Sequence, residues 1–337
     1  MYQYIDLKNS DDFSKLKDAS KIIQSGGLVL FPTETVYGLG ANGLNENAVK
    51  KIYITKGRNF NNPINLLVSD MKMIESVAEN ISPLEYTLMN AFFPGPFTII
   101  LNKRKIVPDI VTAGQNSVGV RMPSGIIAKK LVEYSGVPIA APSANFSGKL
   151  SGTSFDDILE DFKDTIDCAI DGGNSEIGIE STIVKVIDGI PHILRPGSIT
   201  EEQILKFVPT VIRDYEDENS SNINHSNHYT PNSNCLLVYS KNDKKMINEI
   251  NKIATKYSKP CILSLHENLS FYNGKLVIDI GSKSNLSDIA RNIFSCLKKA
   301  DNFNPDIIII EGIEKSSIGV AIMNRLMKAC KGNYKEI

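Results

Sequence analysis

No two of the five cysteines, Cys168, Cys235, Cys261, Cys296 and Cys330, stand close enough to form a CxxC pair, and their number is odd. Neither a disulfide framework nor a structural zinc site is expected, and a reducing compartment fits. The four histidines, His192, His225, His228 and His266, are scattered, and there is no HExxH, so no protein-bound structural metal is expected. An excess of positive charge is missing too: the formal net charge is −1. A protein whose main task was gripping nucleic-acid phosphates would be clearly basic in at least one domain, so strong direct nucleic-acid binding is not expected and a small-molecule pocket is. No apolar run approaches the roughly 18 residues needed to cross a bilayer. The opening MYQYIDLKNSDDFSKLKD has no basic region followed by an apolar run. The expectation is a cytoplasmic protein with no membrane partner. Finally, there is no GxxxxGK[ST] loop and no GxGxxG opening a helix after a strand, so a nucleotide site would have to be built another way.

What is present is a soluble, globular composition, 42% hydrophobic and 22% charged, in 337 residues. That length exceeds a single core and favours two domains. A first helix is expected after an N-cap at Ser10, with Phe13, Leu16, Ala19, Ile22 and Ile23 at helical spacing and Gly26-Gly27 ending it. Leu28 to Thr33 reads as a buried strand. A helix should follow from Asn45 to Lys56-Gly57-Arg58, then a strand from Ile64 to Ser69. Ser82-Pro83 carries a cap and an N1 proline. FTIILN, SVGVRMP and VPIAAP read as strands, with a helix near Ile126–Tyr134, and Asp188-Gly189 reads as a hairpin turn. From Asp214 to Asn234 the chain is rich in Asn, Ser and acids with almost nothing to bury, and reads as a linker. Beyond it, CLLVYS, PCILSLHE, KLVIDIG and DIIIIEGI alternate with helices near Asp243–Tyr257, Ser287–Lys299 and Ile318–Cys330. That pattern predicts a small α/β domain with a largely parallel sheet. The expected boundaries are 1–210, a linker and possible lid at 211–234, and 235–337.

Chemistry concentrates before residue 200. FPTETVYGLGAN (Phe31 to Asn42) places hydroxyls, a carboxylate and an aromatic directly after a buried strand, where α/β proteins place ligands. KGRNFNNP (Lys56 to Pro63) sets two cations around a glycine at a helix end. That suits a polyphosphate, and equally the compensation of a helix C-terminus. VGVRMPSG puts Arg121 at the end of an apolar strand, aimed at an anion or paired structurally. APSANFSGKLS (Ala141 to Ser151) crowds Ser143, Asn145, Ser147 and Ser151 into one small loop, either a ligand cradle or a hydrogen-bonded turn. GIESTIV and ILRPGSIT add Ser181 and Arg195. Together these polar loops predict one cleft for a phosphorylated ligand, where positioning and charge stabilisation matter more than a histidine base.

FPTETVYGLG, KGRxxxNP, VRMP, PIAAPSAN-x-SG, ESTIV and LRPGSIT, in this order, resemble the threonylcarbamoyl-AMP synthase family, whose catalytic module is the YrdC-like domain. GVAIMNRLMKAC (Gly319 to Cys330) and HYTP (His228 to Pro231) resemble its long form, so the resemblance spans nearly the whole chain. It implies an α/β fold: a twisted mixed sheet around a basic cavity, plus a smaller C-terminal Rossmann-like domain. It also implies a nucleotidyltransferase that joins L-threonine, bicarbonate and ATP into threonylcarbamoyl-AMP, with Mg²⁺ on the phosphates. The product would go to a tRNA threonylcarbamoyl transferase that forms N6-threonylcarbamoyladenosine beside the anticodon. Carried over by position, Lys56 and Arg58 are the catalytic pair and face the phosphates. Asn62, Ser117, Ser143, Asn145, Ser151, Arg195 and Tyr229 complete the ATP site. Thr35, Leu67, Arg121, Ala141 and Ser181 surround threonine, with Arg121 on its carboxylate. Leu67 and Gly125 stand where relatives often carry histidine, and Ser117 stands for a more usual threonine. The residues themselves name no general base. The segment around Tyr229 is expected to be mobile in the free protein and to close over the nucleotide.

Overall fold

The computed structural model describes residues 2–216 and 229–337, and the chain divides into two compact units. The first comprises Met1–Ser147, Ser151–Glu176 and Glu180–His225; the second comprises Gly148–Leu150, Ile177–Ile179 and Ser226–Ile337.

The first unit is built on one mixed sheet. Its strands are β1 (Gln3–Asp6), β2 (Val29–Phe31), β3 (Gly38–Asn42), β4 (Leu66–Leu67), β5 (Ala78–Glu79), β6 (Phe97–Lys103), β7 (Ser117–Arg121), β8 (Ile139–Ala140), β9 (Cys168–Asp171), β10 (Thr182–Ile187), β11 (Ile190–Arg195) and β12 (Ile212–Arg213). They run in the order β1-β9-β2-β3-β8-β4-β7-β6-β10-β11-β12, with β5 paired to β6. β2 is buried on both faces because its residues alternate between two cores. Leu28 and Leu30 pack with Tyr37, Val49 and Val120, while Val29 and Phe31 pack with Leu16, Ile23 and Ile127.

Several elements form where local chemistry predicts them. Asn45 caps the helix Glu46–Lys56 by accepting from the Ala48 amide, and Gly57 ends it in the left-handed region at φ 59°. Ser82 and Glu85 form a reciprocal capping box on Pro83–Phe92. Asp188 and Gly189, at φ 49° and 78°, turn β10 into antiparallel β11.

Other expectations need correction. Ser10 does not cap a helix. Its hydroxyl accepts from the Asp12 amide, Asp12 caps a 3-10 turn at Phe13–Lys15, and the α-helix begins at Leu16. The strands expected at 28–33 and 64–69 shrink to Val29–Phe31 and Leu66–Leu67. The glycine-rich end of FPTETVYGLGAN is not loop but β3, hydrogen-bonded to β2 with Phe31 opposite Gly38. β1 and β9 carry too little pattern to be seen locally and are held by pairing. The helix Phe155–Phe162 stands outside the sequence expectations although its signals are local: Ser154 caps it by accepting from the Asp157 amide, and Phe155, Ile158 and Phe162 line its buried face.

The second unit holds β13 (Cys235–Tyr239), β14 (Pro260–Leu265), β15 (Leu276–Gly281), β16 (Ile307–Glu311) and β17 (Tyr334–Glu336) in one sheet, ordered β15-β14-β16-β13-β17. Every pairing in it is parallel, as the alternation of apolar runs and helices predicts. Helices Asp243–Ala254, Leu286–Asn302 and Ile318–Ala329 supply the crossovers. At the end of β16 the fully buried Glu311 accepts from the Leu265 amide at 2.6 Å, from Asn268 at 3.1 Å and from the Tyr272 hydroxyl. Burial pushes its carboxyl up, and these donors act against that. Glu311→Ala orphans all three donors, so urea unfolding should show a loss of at least about 2 kcal/mol.

Of the polar stretch 211–234, the part 217–228, including His228, lies outside the described residues. So does the greater part of the segment expected to be mobile. Residues 229–233 pack within the second unit. The Tyr229 ring stacks on Phe294 with centroids 5.2 Å apart, and Asp301 accepts from the amides of Asn232 and Ser233 at 2.8 and 2.7 Å. Among the described residues no helix is long and apolar enough to cross a membrane.

Candidate active site

Arg121 ends β7 and is 7% exposed. The β6–β7 register sets Ile99 against Val120, so Arg121 leaves the sheet at the end where β6 begins. The parallel ladder with β4 sets Leu67 beside it. Thr35, fully buried in the loop after β2, accepts a hydrogen bond from Arg121 Nη1 at 2.9 Å. Thr33 Oγ1 lies 2.9 Å from Thr35 Oγ1 and donates to the Val36 carbonyl at 2.6 Å, which holds the loop in shape.

Arg121 Nη2 lies 2.7 Å from Glu34 Oε1. Yet Arg121 Nε and Nη2 have no hydrogen-bond partner among the described residues. That edge of the guanidinium, the two-donor fork that suits a carboxylate, is buried, with the Glu34 ion pair as the one polar contact of Nη2 among the described residues and none at Nε. Glu34 accepts from the amides of Ser124 and Gly125, at 3.2 and 3.3 Å, where the helix Ile126–Ser135 begins. Burial by itself would raise the Glu34 carboxyl. The close Arg121 guanidinium and the Ser124 amide outweigh burial and hold the carboxyl below its usual value.

A second set of polar groups surrounds the end of the helix Glu46–Lys56. Lys56 is only 2% exposed, and its Nζ donates to the carbonyls of Ser143 and Asn145. Burial pushes its amine well below the ordinary lysine value, and the neighbouring Arg58 charge adds to this. The loop it grips is stitched in turn. Ser143 Oγ donates to Asn145 Oδ1 at 2.6 Å, the Ser147 amide to the Lys56 carbonyl at 2.8 Å, and the Ala144 amide to the Tyr37 carbonyl at 2.7 Å. Ser143 also forms a β-bridge to Gly38. The Lys56 loop and the Thr35 loop are therefore joined through residues 37 and 38. Arg58, released by the turn at Gly57, donates from Nε to the Asn62 carbonyl at 3.1 Å and from Nη2 to the Pro63 carbonyl at 2.8 Å. Tyr53 donates to that same Asn62 carbonyl at 2.9 Å.

The last set lies before β10. Ser181 Oγ is 2.8 Å from Thr98 Oγ1, and Arg195 Nη2 donates to the Ser181 carbonyl at 2.9 Å and its hydroxyl at 3.1 Å. Ser151 Oγ donates to Glu180 Oε1 at 2.6 Å. Parallel pairing of β10 with β6 brings Ser181 and Thr98 to the end of the sheet that Arg121 leaves.

The structure thus joins Thr35 to Arg121, sets Leu67 beside Arg121, and binds Lys56 to Ser143 and Asn145, and Arg195 to Ser181. Ala141 follows β8, its amide bonded to the Asn65 carbonyl at 3.1 Å. Ser117 is set apart, at the far end of β7 from Arg121, about 13 Å away along the strand. Tyr229 belongs to the second unit. Leu67 is 3% exposed and packs with Val29, Phe31 and Ile139. Sequence reasoning passed over Glu34, although a signal was there: it is the one charged residue between Lys21 and Glu46. Glu180 had a signal as well, since it opens the ESTIV motif beside Ser181. Thr98 carries none, since it meets Ser181 only through the pairing of β6 with β10.

Two family models cover the chain: one described as "Telomere recombination" over residues 21–197, the other as "Threonylcarbamoyl-AMP synthase, C-terminal domain" over residues 199–330. The threonylcarbamoyl-AMP synthase of Pyrococcus abyssi is 39% identical over 332 residues, 94% of each chain. That of Bacillus subtilis is 36% identical over 324 residues, 94% of this chain and 93% of its own. The crystal structure of P. abyssi Sua5 complexed with L-threonine is similar with a TM-score of 0.92 and 37% identity, covering 99% of both chains. With two family models that together span residues 21–330 and relatives above 30% identity along nearly its full length, this chain belongs to the threonylcarbamoyl-AMP synthase family.

Proposed function

We propose that the chain condenses L-threonine, bicarbonate and ATP into threonylcarbamoyl-AMP and pyrophosphate. It does so in the cytoplasm, for a separate tRNA threonylcarbamoyl transferase that completes N6-threonylcarbamoyladenosine beside the anticodon. The observation that carries this reading is the buried Nε–Nη2 edge of Arg121, left without a hydrogen-bond partner among the described residues. A full-length likeness to a structure complexed with L-threonine supports it.

In this reading the threonine carboxylate takes the Arg121 fork, with Thr35, Leu67, Ala141 and Ser181 around the rest of the amino acid. The neutral amine and bicarbonate give the carbamate and one water, the new N–C bond replacing a C–O bond of bicarbonate. The carbamate oxygen attacks the α-phosphorus of ATP, and pyrophosphate leaves. Lys56 and Arg58 stabilise charge on the phosphates as the bond to the leaving group lengthens. Asn62, Ser117, Ser143, Asn145, Ser151, Arg195 and Tyr229 hold the nucleotide. Among the described residues no group of three or more His, Cys, Asp or Glu could hold a metal. Magnesium enters as part of the substrate, on the ATP phosphates. The carbamate oxygen is already anionic, so its attack on phosphorus needs no general base; the threonine ammonium loses its proton earlier, before the carbamate forms. Residues 1–210 form the catalytic domain, 211–234 the connection and 235–337 the second domain.

Incubation with ATP, bicarbonate and L-threonine, followed by mass detection, should give threonylcarbamoyl-AMP and an equal amount of pyrophosphate. Pyrophosphate released equally well without threonine would overturn the assignment. L-Serine should react about 10–200-fold less efficiently, the usual worth of one methyl group in a pocket.

The buried amine of Lys56 adds a pH dependence. In the free protein it titrates below its ordinary value, and bound polyphosphate raises it again. Between those two values the complex holds one more proton than the free protein. Nucleotide binding should therefore take up a proton, and affinity should fall as pH rises through that window, by up to about tenfold per unit. Calorimetry in two buffers of different protonation enthalpy measures the uptake, and Lys56→Met should abolish it.

A further inference from the structure

Glu34 lies outside every role given so far, although its charge is the closest opposite charge to Arg121. We infer that Glu34 is the positioning residue of the amino-acid site. It orients Arg121 so that the Nε–Nη2 edge meets the substrate carboxylate, and through Arg121 it sets the preference for an amino acid over its carboxylate-free analogue. The inference rests on the proposed use of Arg121.

A buried guanidinium on a flexible stem has several orientations open to it, and three contacts remove that choice. Thr35 Oγ1 accepts from Nη1 at 2.9 Å, Glu34 Oε1 lies 2.7 Å from Nη2, and strand pairing fixes the Arg121 backbone beside Leu67. Glu34 is itself pinned. It is 4% exposed, and the amides of Ser124 and Gly125 donate one to each of its carboxylate oxygens. Those two amides open the helix Ile126–Ser135, whose N-terminal dipole favours a negative charge. The carboxylate therefore transmits the position of a rigid helix end to the guanidinium.

The geometry of the pair separates orienting from binding. Nη2 is close to Glu34 Oε1 and yet makes no hydrogen bond with it. The attraction is that of a charge placed off the donor axis, so it aims the group without using its N–H. Nε remains wholly for an incoming carboxylate, which shares Nη2 with the Glu34 ion pair. Had Glu34 taken the fork bidentately, the site would be closed to one. Thr35 occupies the remaining nitrogen, Nη1, and keeps Glu34 from being the sole determinant of orientation.

Charge balance points the same way. Glu34 and Arg121 together are neutral, so an empty site carries no unpaired buried charge. A substrate bringing a carboxylate and an ammonium adds no net charge. One bringing two carboxylates adds charge that Arg121 alone cannot answer.

The test uses the full chain and compares L-threonine with L-threoninol, which lacks the carboxylate. Glu34→Gln keeps the shape and removes the charge; Glu34→Asp keeps the charge on a shorter stem. With Glu34→Gln, Kd for L-threonine should rise about 10–100-fold, the worth of a charge-assisted contact. Kd for L-threoninol and for ATP should change less than about threefold. The preference for threonine over threoninol should thus collapse, and Glu34→Asp should recover part of it. A merely structural role would weaken threonine, threoninol and ATP together, and that result would overturn the inference. An unchanged threonine Kd in Glu34→Gln would overturn it as well. If Glu34→Gln does not fold, Glu34→Asp carries the comparison: a preference equal to that of the unsubstituted protein, at reduced affinity for all three ligands, is the overturning result. Failure of the underlying function is distinguishable, because the unsubstituted protein would then bind threonine and threoninol alike.

Discussion

Replacing Lys56 by methionine should lower the rate of threonylcarbamoyl-AMP formation by about 10²–10³, the usual effect of removing one preorganised charge from a phosphoryl-transfer site. The side chains are similar in length, so the change removes the ammonium group and little volume. Stability should move much less than activity, because two terms oppose each other. The carbonyls of Ser143 and Asn145 lose their donor, at a cost of about 1–3 kcal/mol each where no water replaces it. Against that, the desolvation that depresses the Lys56 amine is relieved. Turnover at saturating ATP and threonine, measured beside a urea unfolding curve, separates the effects. If the variant kept more than about a third of the activity while the midpoint shifted strongly, Lys56 would be a strut for the 143–145 loop and no part of the chemistry.

Arg121→Met should raise the threonine Kd by about 30-fold to 10³-fold or more, since truncating one partner of a buried, hydrogen-bonded charge pair commonly costs 2–5 kcal/mol. ATP affinity should change little. A contribution from the empty site must be subtracted. The substitution leaves Glu34 buried opposite an apolar chain, and its carboxyl, now held below its usual value by Arg121, should rise. The sign of the pH effect follows. The stabilisation that the Arg121 pairing lends Glu34 is present at neutral pH and lost as pH falls through the depressed folded value. Arg121→Met should therefore be destabilised most near neutral pH, and should draw closer to the unsubstituted protein in acid. Equal weakening of threonine and ATP would assign Arg121 to structure alone.

Comparing Lys56 with Glu34 shows where sequence reasoning stops. Lys56 and Arg58 stand in one short segment around a glycine, so their density of charge is visible along the chain. The same holds for the crowded hydroxyls at 143–151 and for the caps at Asn45 and Ser82, whose hydrogen bonds span three residues. The second unit's parallel sheet was legible because each of its main strands is a short apolar run bounded by helix or turn chemistry.

What the chain by itself determined, then, was carried by contacts between near neighbours: the ends of the helices Glu46–Lys56 and Pro83–Phe92, the Asp188-Gly189 hairpin, the alternation of strand and helix, and the motif series that marks the family. The tertiary structure alone decided what depends on pairing across long stretches of chain. β3 forms from a glycine-rich segment with no strand pattern, because Phe31 and Ala140 lie on either side of it to accept its backbone. β1 and β9, 162 or more residues apart, exist only as partners of one another and of β2. Ser117 and Arg121 begin and end the same five-residue strand, and only the register of β6 and β4 tells which end meets Ser181 and which does not. Glu34 and Arg121 are separated by 86 intervening positions, so no local pattern could pair them. The pairing needs a loop after β2 to meet the end of β7, with two amides of a third element to hold the carboxylate in place. A lone charge in an apolar segment signals that a partner exists, and the fold supplies its identity.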